Sequence, residues 1–245
     1  MKNPILYFVL IAAFMVASCS IPEMVISEEL KSSSTILPIS GGKFLFGKKL
    51  QIGKYELINI KKGTIHTKSQ EALFSSSKYS NSSQKISFTI NGPEKLEANI
   101  FAFSNFEKEE RKLFPVLDQS KNPIMSIKSK SQFYGFIYLN NEDSTKWEFN
   151  FENVDGLFKY GFFGNATDIE NNEIQVKGIN KAVGQLKYAL AGNLGFEYSL
   201  NSQTIAALSL NNRRILYLSN NISNELKLVV LGLSAAILIR NDLDL

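Results

Sequence analysis

Between Asn224 and Arg240 the chain reads NELKLVVLGLSAAILIR, and wound as a helix it has no polar face. A helix that is apolar all round has to be surrounded by apolar material on every side. Ser223 is placed to cap its start, Glu225 falls in its first turn and Arg240 in its last, where a carboxylate and a guanidinium each favour a helix over a strand. The uninterrupted apolar part, 228–239, spans only about 18 Å at 1.5 Å per residue, well short of a bilayer core. Burial inside protein is therefore expected, and the rest of the fold has to provide the enclosure.

The remaining sequence supplies strands. From Gly41 onward, short alternating runs rich in Phe, Tyr, Ile and Val recur between clusters of Gly, Asn, Asp and Ser, which is an all-β pattern. Candidate strands are 43–46, 55–60, 85–90, 98–103, 133–139, 146–151 and 157–163, followed by a meander at 196–200, 204–210 and 214–219. Asn201-Ser202 and Asn211-Asn212 separate the last three, and Asn tolerates the positive φ of tight hairpin turns. The charged stretch 107–112, ahead of Pro115, reads as a solvated loop. A many-stranded antiparallel sheet that must enclose an apolar helix can close around it, so the expected fold is mainly β, an antiparallel barrel around a C-terminal helix. A β-sandwich with the helix packed on one face is the alternative.

The strand-turn-strand run 195–219 and the apolar helix after it, ending Leu238-Ile239-Arg240-Asn241-Asp242-Leu243, resemble the tubby C-terminal-like fold shared by tubby, phospholipid scramblase and LURP-one proteins. The resemblance covers about the last fifth of the chain and implies a β-barrel threaded by its final helix. Tubby itself uses basic residues for phosphoinositides, and no specific residue of that kind can be matched here.

At the N-terminus, Lys2 precedes the apolar run 5–16, then the small residues Ala17-Ser18 and the sole cysteine, Cys19. The run Val16-Ala17-Ser18-Cys19 resembles the lipobox of a bacterial lipoprotein signal. That resemblance implies a diacylglycerol on the Cys19 thiol, cleavage before it and an acylated Cys19 as the first mature residue. Two or more acyl chains, at about 0.8 kcal/mol per buried methylene, anchor a protein stably. An ordinary secretory signal would leave one unpaired thiol in an oxidising compartment. An uncleaved transmembrane helix would have to be longer and without Pro22 so close behind. Ser20 in the next position, rather than Asp, implies sorting to the outer membrane if the host is Gram-negative. The expected organisation is a signal peptide at 1–18, a flexible lipid-anchored tether at 19–40 with two prolines and Ser32-Ser33-Ser34-Thr35, and one β-rich domain at 41–245 containing the helix 224–240.

Chemistry has few places to reside. His66 is the only histidine, no Gly-x-Ser-x-Gly elbow accompanies it, and it reads as a surface strand residue. A zinc site built from several His or Cys ligands is excluded by composition, and no metal, cofactor or catalytic residue is assigned. Glu142, Asp143, Glu148, Glu152, Asp155, Asp168, Glu170 and Glu173 could supply a carboxylate pair, yet they sit among strand aromatics and Asn-rich turns as solvated residues do. The 168–173 turn lacks the glycine and spacing of an EF-hand loop. Gly41-Gly42-Lys43 lacks the spacing of a phosphate loop. The net charge is only +4, but Lys43, Lys48, Lys49, Lys54, Lys61, Lys62 and Lys68 crowd the first strands. If they share a face, an anionic lipid or another polyanion could meet it. Nucleic acid is not expected, because no basic-aromatic binding motif is present.

The function expected is that of a lipid-anchored cell-envelope protein, a non-enzymatic binding or structural module with a membrane, glycan or envelope-protein partner. An envelope glycan hydrolase using paired carboxylates is one alternative and a carrier of an apolar ligand in the barrel is another. A helix that fills the lumen would remove the carrier's cavity.

Overall fold

The structure is a computed structural model and describes residues 23–41, 50–71, 77–112, 124–140, 142–153, 162–183, 193–210 and 214–240. Its strands are β1 (Ser34–Ser40), β2 (Gln51–Ile52), β3 (Tyr55–Lys62), β4 (His66–Glu71), β5 (Ser77–Asn91), β6 (Glu97–Lys112), β7 (Ile124–Leu139), β8 (Lys146–Asn153), β9 (Phe162–Asp168), β10 (Glu173–Ile179), β11 (Gly195–Leu200), β12 (Gln203–Ser209) and β13 (Ile215–Ser219). Among the described residues two α-helices accompany them, α1 (Glu28–Ser33) and α2 (Asn224–Ile239).

Every pairing is antiparallel, in the order β3-β2-β1-β13-β12-β11-β10-β9-β8-β7-β6-β5. Pairs such as Leu57↔Ile90 and Lys62↔Ile86 then join β3 to β5 and close a twelve-strand barrel. That closure realises the expected barrel and not the sandwich. β4 stands outside the ring, paired with the first half of β5 from His66↔Ser83 to Glu71↔Lys78. Alternate residues of each strand face inward, among them Ile86, Phe88, Ile90, Ile100, Phe133, Ile137, Phe149 and Phe151, all buried.

Helix α2 fills the ring. Leu228, Val229, Val230, Leu231, Leu233, Ala235 and Ala236 are fully buried, and the helix packs on β5, β6 and β7. Each such Leu or Val contributes about 1.5–3 kcal/mol by leaving water. Gly232 permits the close approach, since a Cβ there would lie 3.1 Å from Ile137 Cδ1 and 3.2 Å from Ile100 Cγ1. The one buried hydroxyl on the helix, Ser234, donates to the Tyr198 phenol oxygen at 2.9 Å and so satisfies both groups. Burial pushes the Tyr198 phenol well above the ordinary tyrosine range, and the Ser234 hydrogen bond opposes that shift only in part. Ser223 Oγ accepts from Leu226 N at 3.1 Å, as its sequence position predicts. At the other end Lys62 Nζ donates to the Ile239 carbonyl at 2.8 Å, and the Arg240 guanidinium lies 5.7 Å from the Phe133 ring centroid. Among the described residues no helix is long and apolar enough to cross a membrane.

Several expectations need correction. From Glu23 to Ser40 the segment read as a flexible tether is part of the fold. Met24 bridges Ala182, Ser27 Oγ caps α1 by accepting from Leu30 N at 3.3 Å, and β1 pairs with β13 from Ser34↔Ser219 to Pro38↔Ile215. Met24, Ile26 and Leu30 form a second small core with Ala182, Leu194 and Ala207 on the outside of the barrel, against Tyr217. The β-rich domain thus begins before Gly41. The stretch 107–112, read as a loop, is the far half of β6, held by β5 and β7 on either side. β9 is Phe162–Asp168, which overlaps the end of the candidate strand 157–163, while the rest of that candidate, the candidate strand 43–46 and the turn at Asn211-Asn212 fall outside the described residues. The hairpin turn at Asn201 and Ser202 has φ of 50° and 66°, as the turn chemistry predicts.

Candidate functional site

With the lumen occupied by α2, the surface left for recognition is the outside of the barrel. Strand alternation gives β6 and β7 an outer face made of rings. Phe101 opposes Phe136, Phe103 opposes Tyr134, and Tyr138 follows on the same side. Phe103 and Tyr134 lie nearly parallel at 5.5 Å between centroids, and Phe101 meets Tyr138 edge-on at 6.0 Å. Phe101 is 46% exposed and Tyr134 43%. Lysines border the patch, with Lys85 Nζ 5.8 Å from the Phe103 centroid and Lys146 Nζ 5.1 Å from that of Phe136. Between the rings, Gly135 lets the strands approach, because a Cβ would collide with the Phe101 carbonyl oxygen and lie 2.7 Å from the Phe149 ring.

The ring face adjoins two cavities on β4–β7. The nearer, of about 570 Å³, is lined by Phe103 and Tyr134 and by neutral polar groups, including Asn81, Ser83, Gln84 and Asn105, with Lys85 as the one Lys, Arg, Asp or Glu among its described lining residues. The farther, of about 620 Å³, shares His66, Asn81 and Ser83 with it and adds Lys68, Tyr79, Glu107, Glu109 and Lys130. Both volumes fall in the range usual for small-molecule sites, about 300–1,000 Å³. Gln84 is 5% exposed, and its Nε2 donates to the Gly63 carbonyl at 2.8 Å, which fixes which amide atom is which. Its Oε1 is a buried acceptor with no hydrogen-bond partner. A buried acceptor left unmet costs about 1–3 kcal/mol, so a donor that reaches it is favoured.

The residues singled out from sequence are dispersed. Lys43, Lys48, Lys49 and Cys19 lie outside the described residues. Lys54 sits in the β2–β3 turn, 5.6 Å from the Tyr55 ring centroid, while Lys61 and Lys62 end β3. Adjacent strand residues point to opposite faces, and Lys62 is held on the Ile239 carbonyl, so Lys61 and Lys62 do not share one basic face. His66 is an exposed residue of β4, beside both cavities. The acids serve local structure. Asp168 accepts from the Glu170 and Asn172 amides at 2.9 and 2.8 Å, and Glu148 pairs with Lys146 at 2.6 Å. Glu173 accepts from Asn165 Nδ2 at 3.2 Å and Glu152 from Gln132 Nε2 at 3.5 Å, whereas Asp155 lies outside the described residues. Among the described residues no cluster of three or more His, Cys, Asp or Glu is placed to hold a metal.

Sequence reading missed the ring face and the cavities, though one signal was present. The run Phe133-Tyr134-Gly135-Phe136-Ile137-Tyr138-Leu139 is apolar or aromatic on both strand faces, where a barrel strand with one wet face alternates with polar residues. Comparison of the chain with protein-family profiles, with curated proteins and with solved structures gives no match in any of the three.

Proposed function

We propose that this chain is a lipid-anchored protein of the cell envelope, held in the membrane through Cys19, in the outer membrane if the host is Gram-negative. It works without catalysis as a binding module, and its ligand is a glycan that lies over β4–β7. One observation carries the binding reading: the outer wall of β6–β7 presents Phe101, Phe103, Tyr134, Phe136 and Tyr138 on the side away from the core. The negative faces of such rings attract the C–H faces of sugar rings. Asn81, Asn105 and Ser83 offer the donors and acceptors that sugar hydroxyls require. A lumen filled by α2 supports surface recognition over carriage of an apolar ligand. The kinship we propose is with the tubby-like barrels, and a filled barrel of this kind supports it.

Titration of the domain with soluble hexose and N-acetylhexosamine oligomers tests the ligand class. Binding is expected, and Tyr134→Ala or Phe103→Ala should weaken it about tenfold, the equivalent of about 1.4 kcal/mol. Failure of all these oligomers while anionic vesicles bind would replace the glycan with a lipid head group. For the anchor, Cys19→Ala should move the protein from the membrane pellet to the supernatant without unfolding it, and a variant that stays in the pellet would overturn lipidation.

A further inference from the structure

We infer that the barrel rests against the bilayer on its β10–β13 side, so that the ring face of β6–β7 looks away from the membrane. The inference rests on the lipid anchor at Cys19 and adds an orientation to it. Only Ser20, Ile21 and Pro22 separate Cys19 from Glu23. An extended chain covers at most about 3.3–3.6 Å per residue, so the lipidated residue lies within about 14 Å of Glu23. Glu23 is fixed to the barrel: Val183 N donates to its carbonyl at 2.9 Å, Val25 N donates to Lys181 O at 3.2 Å, and Met24 is buried in the outer core against Ala182 and Leu194. No slack remains with which to lift the domain off the bilayer.

The surface around this attachment suits a lipid interface. Val25 and Val183, either side of the Glu23 contact, are 45% and 59% exposed, and Lys181 between them is exposed as well. Exposed aliphatic side chains next to a lysine can enter the head-group region while the ammonium meets lipid phosphate. The chain at 181–183 that holds Glu23 follows β10, and in the ring order β10 and β6 stand four places apart, a third of the way round a twelve-strand barrel. A lipid attached there therefore leaves β6 on a different part of the wall. The glycan-facing rings thus lie away from the attachment point, which the short linker keeps close to the bilayer.

The test uses the full-length lipoprotein in vesicles of phosphatidylethanolamine and phosphatidylglycerol that carry head-group nitroxides. The natural thiol is consumed by lipid, so Val183→Cys and Tyr134→Cys each give a single labelling site for a fluorophore. Nitroxide quenching is expected at position 183 and not at 134. Equal quenching at both positions, or stronger quenching at 134, would overturn the orientation while leaving the anchor intact. A protein whose mass shows no lipid on Cys19 would overturn the anchor and the orientation together.

Discussion

The barrel has two apolar stretches of outer wall, and the chain treats them differently. Over β12 and β13, Ala207 and Tyr217 are covered by Met24, Ile26 and Leu30 from the segment that precedes β1. Over β6 and β7, on the opposite side of the ring, Phe101 and Tyr134 remain nearly half exposed. Apolar surface left in water costs about 25 cal/mol per Å², so a wall of rings that no described segment covers fits the ligand proposed for it. On the function proposed above, the covered wall is a matter of stability and the open wall one of recognition.

Four substitutions would break or sharpen that contrast. The largest effect belongs to the element both walls enclose: Leu231→Asp places an unpaired charge in a dry core, and the barrel should fail to fold, read as loss of the near-ultraviolet dichroism signal. A folded Leu231→Asp barrel would mean that α2 is not the shared core. Next, Leu30→Ala strips the cover from β12–β13 and should cost about 2–5 kcal/mol in urea unfolding. Phe101→Ala on the open wall should cost about 1 kcal/mol or less, because only an edge contact with Tyr138 is lost. Equal losses at the two sites would erase the distinction between the walls. An effect of intermediate size concerns Tyr198 in the core. Its phenol is raised by burial, so its contribution is complete below the ordinary tyrosine value of about 10 and declines as pH rises above it. Tyr198→Phe leaves Ser234 unmet at a cost of about 1–2 kcal/mol near neutral pH. That difference from the parent should shrink above about pH 10, and a difference independent of pH would remove the phenol from the account.

What the sequence discloses follows what each segment buries. Helix α2 is legible because it is apolar all round, and β8 and β11–β13 are legible because one face of each is buried in the core. β1 is hidden by Ser34, Thr35 and Pro38, which look like linker, and only Leu37 on it is buried. β4, the first half of β5 and the far half of β6 are hidden for a different reason. The two polar halves, including Ser80, Asn81 and Ser83 on β5 and Glu107, Lys108 and Glu109 on β6, pair as extended ladders with little apolar alternation to betray them. β10 alternates openly, with Ile174 and Val176 buried between Glu173, Gln175 and Lys177, so it could have been read. The cavities depend on cross-strand pairs such as His66↔Ser83 and Ser83↔Asn105, which bring together residues far apart along the chain and leave no local mark.

The position of α2 after β13 also governs how the molecule comes into being. The wall is synthesised before the plug that gives it an inside, and its seam joins Ser34 to Ser219, near opposite ends of the described chain. Pairings so distant in sequence form slowly, because the intervening loop has to close first. Until residues 224–239 have left the ribosome the strands have nothing to wrap, and the nascent protein stays open. An open chain is the form that can be threaded through a secretion channel, so for a chain exported as we propose, the order of elements that delays folding also suits its passage.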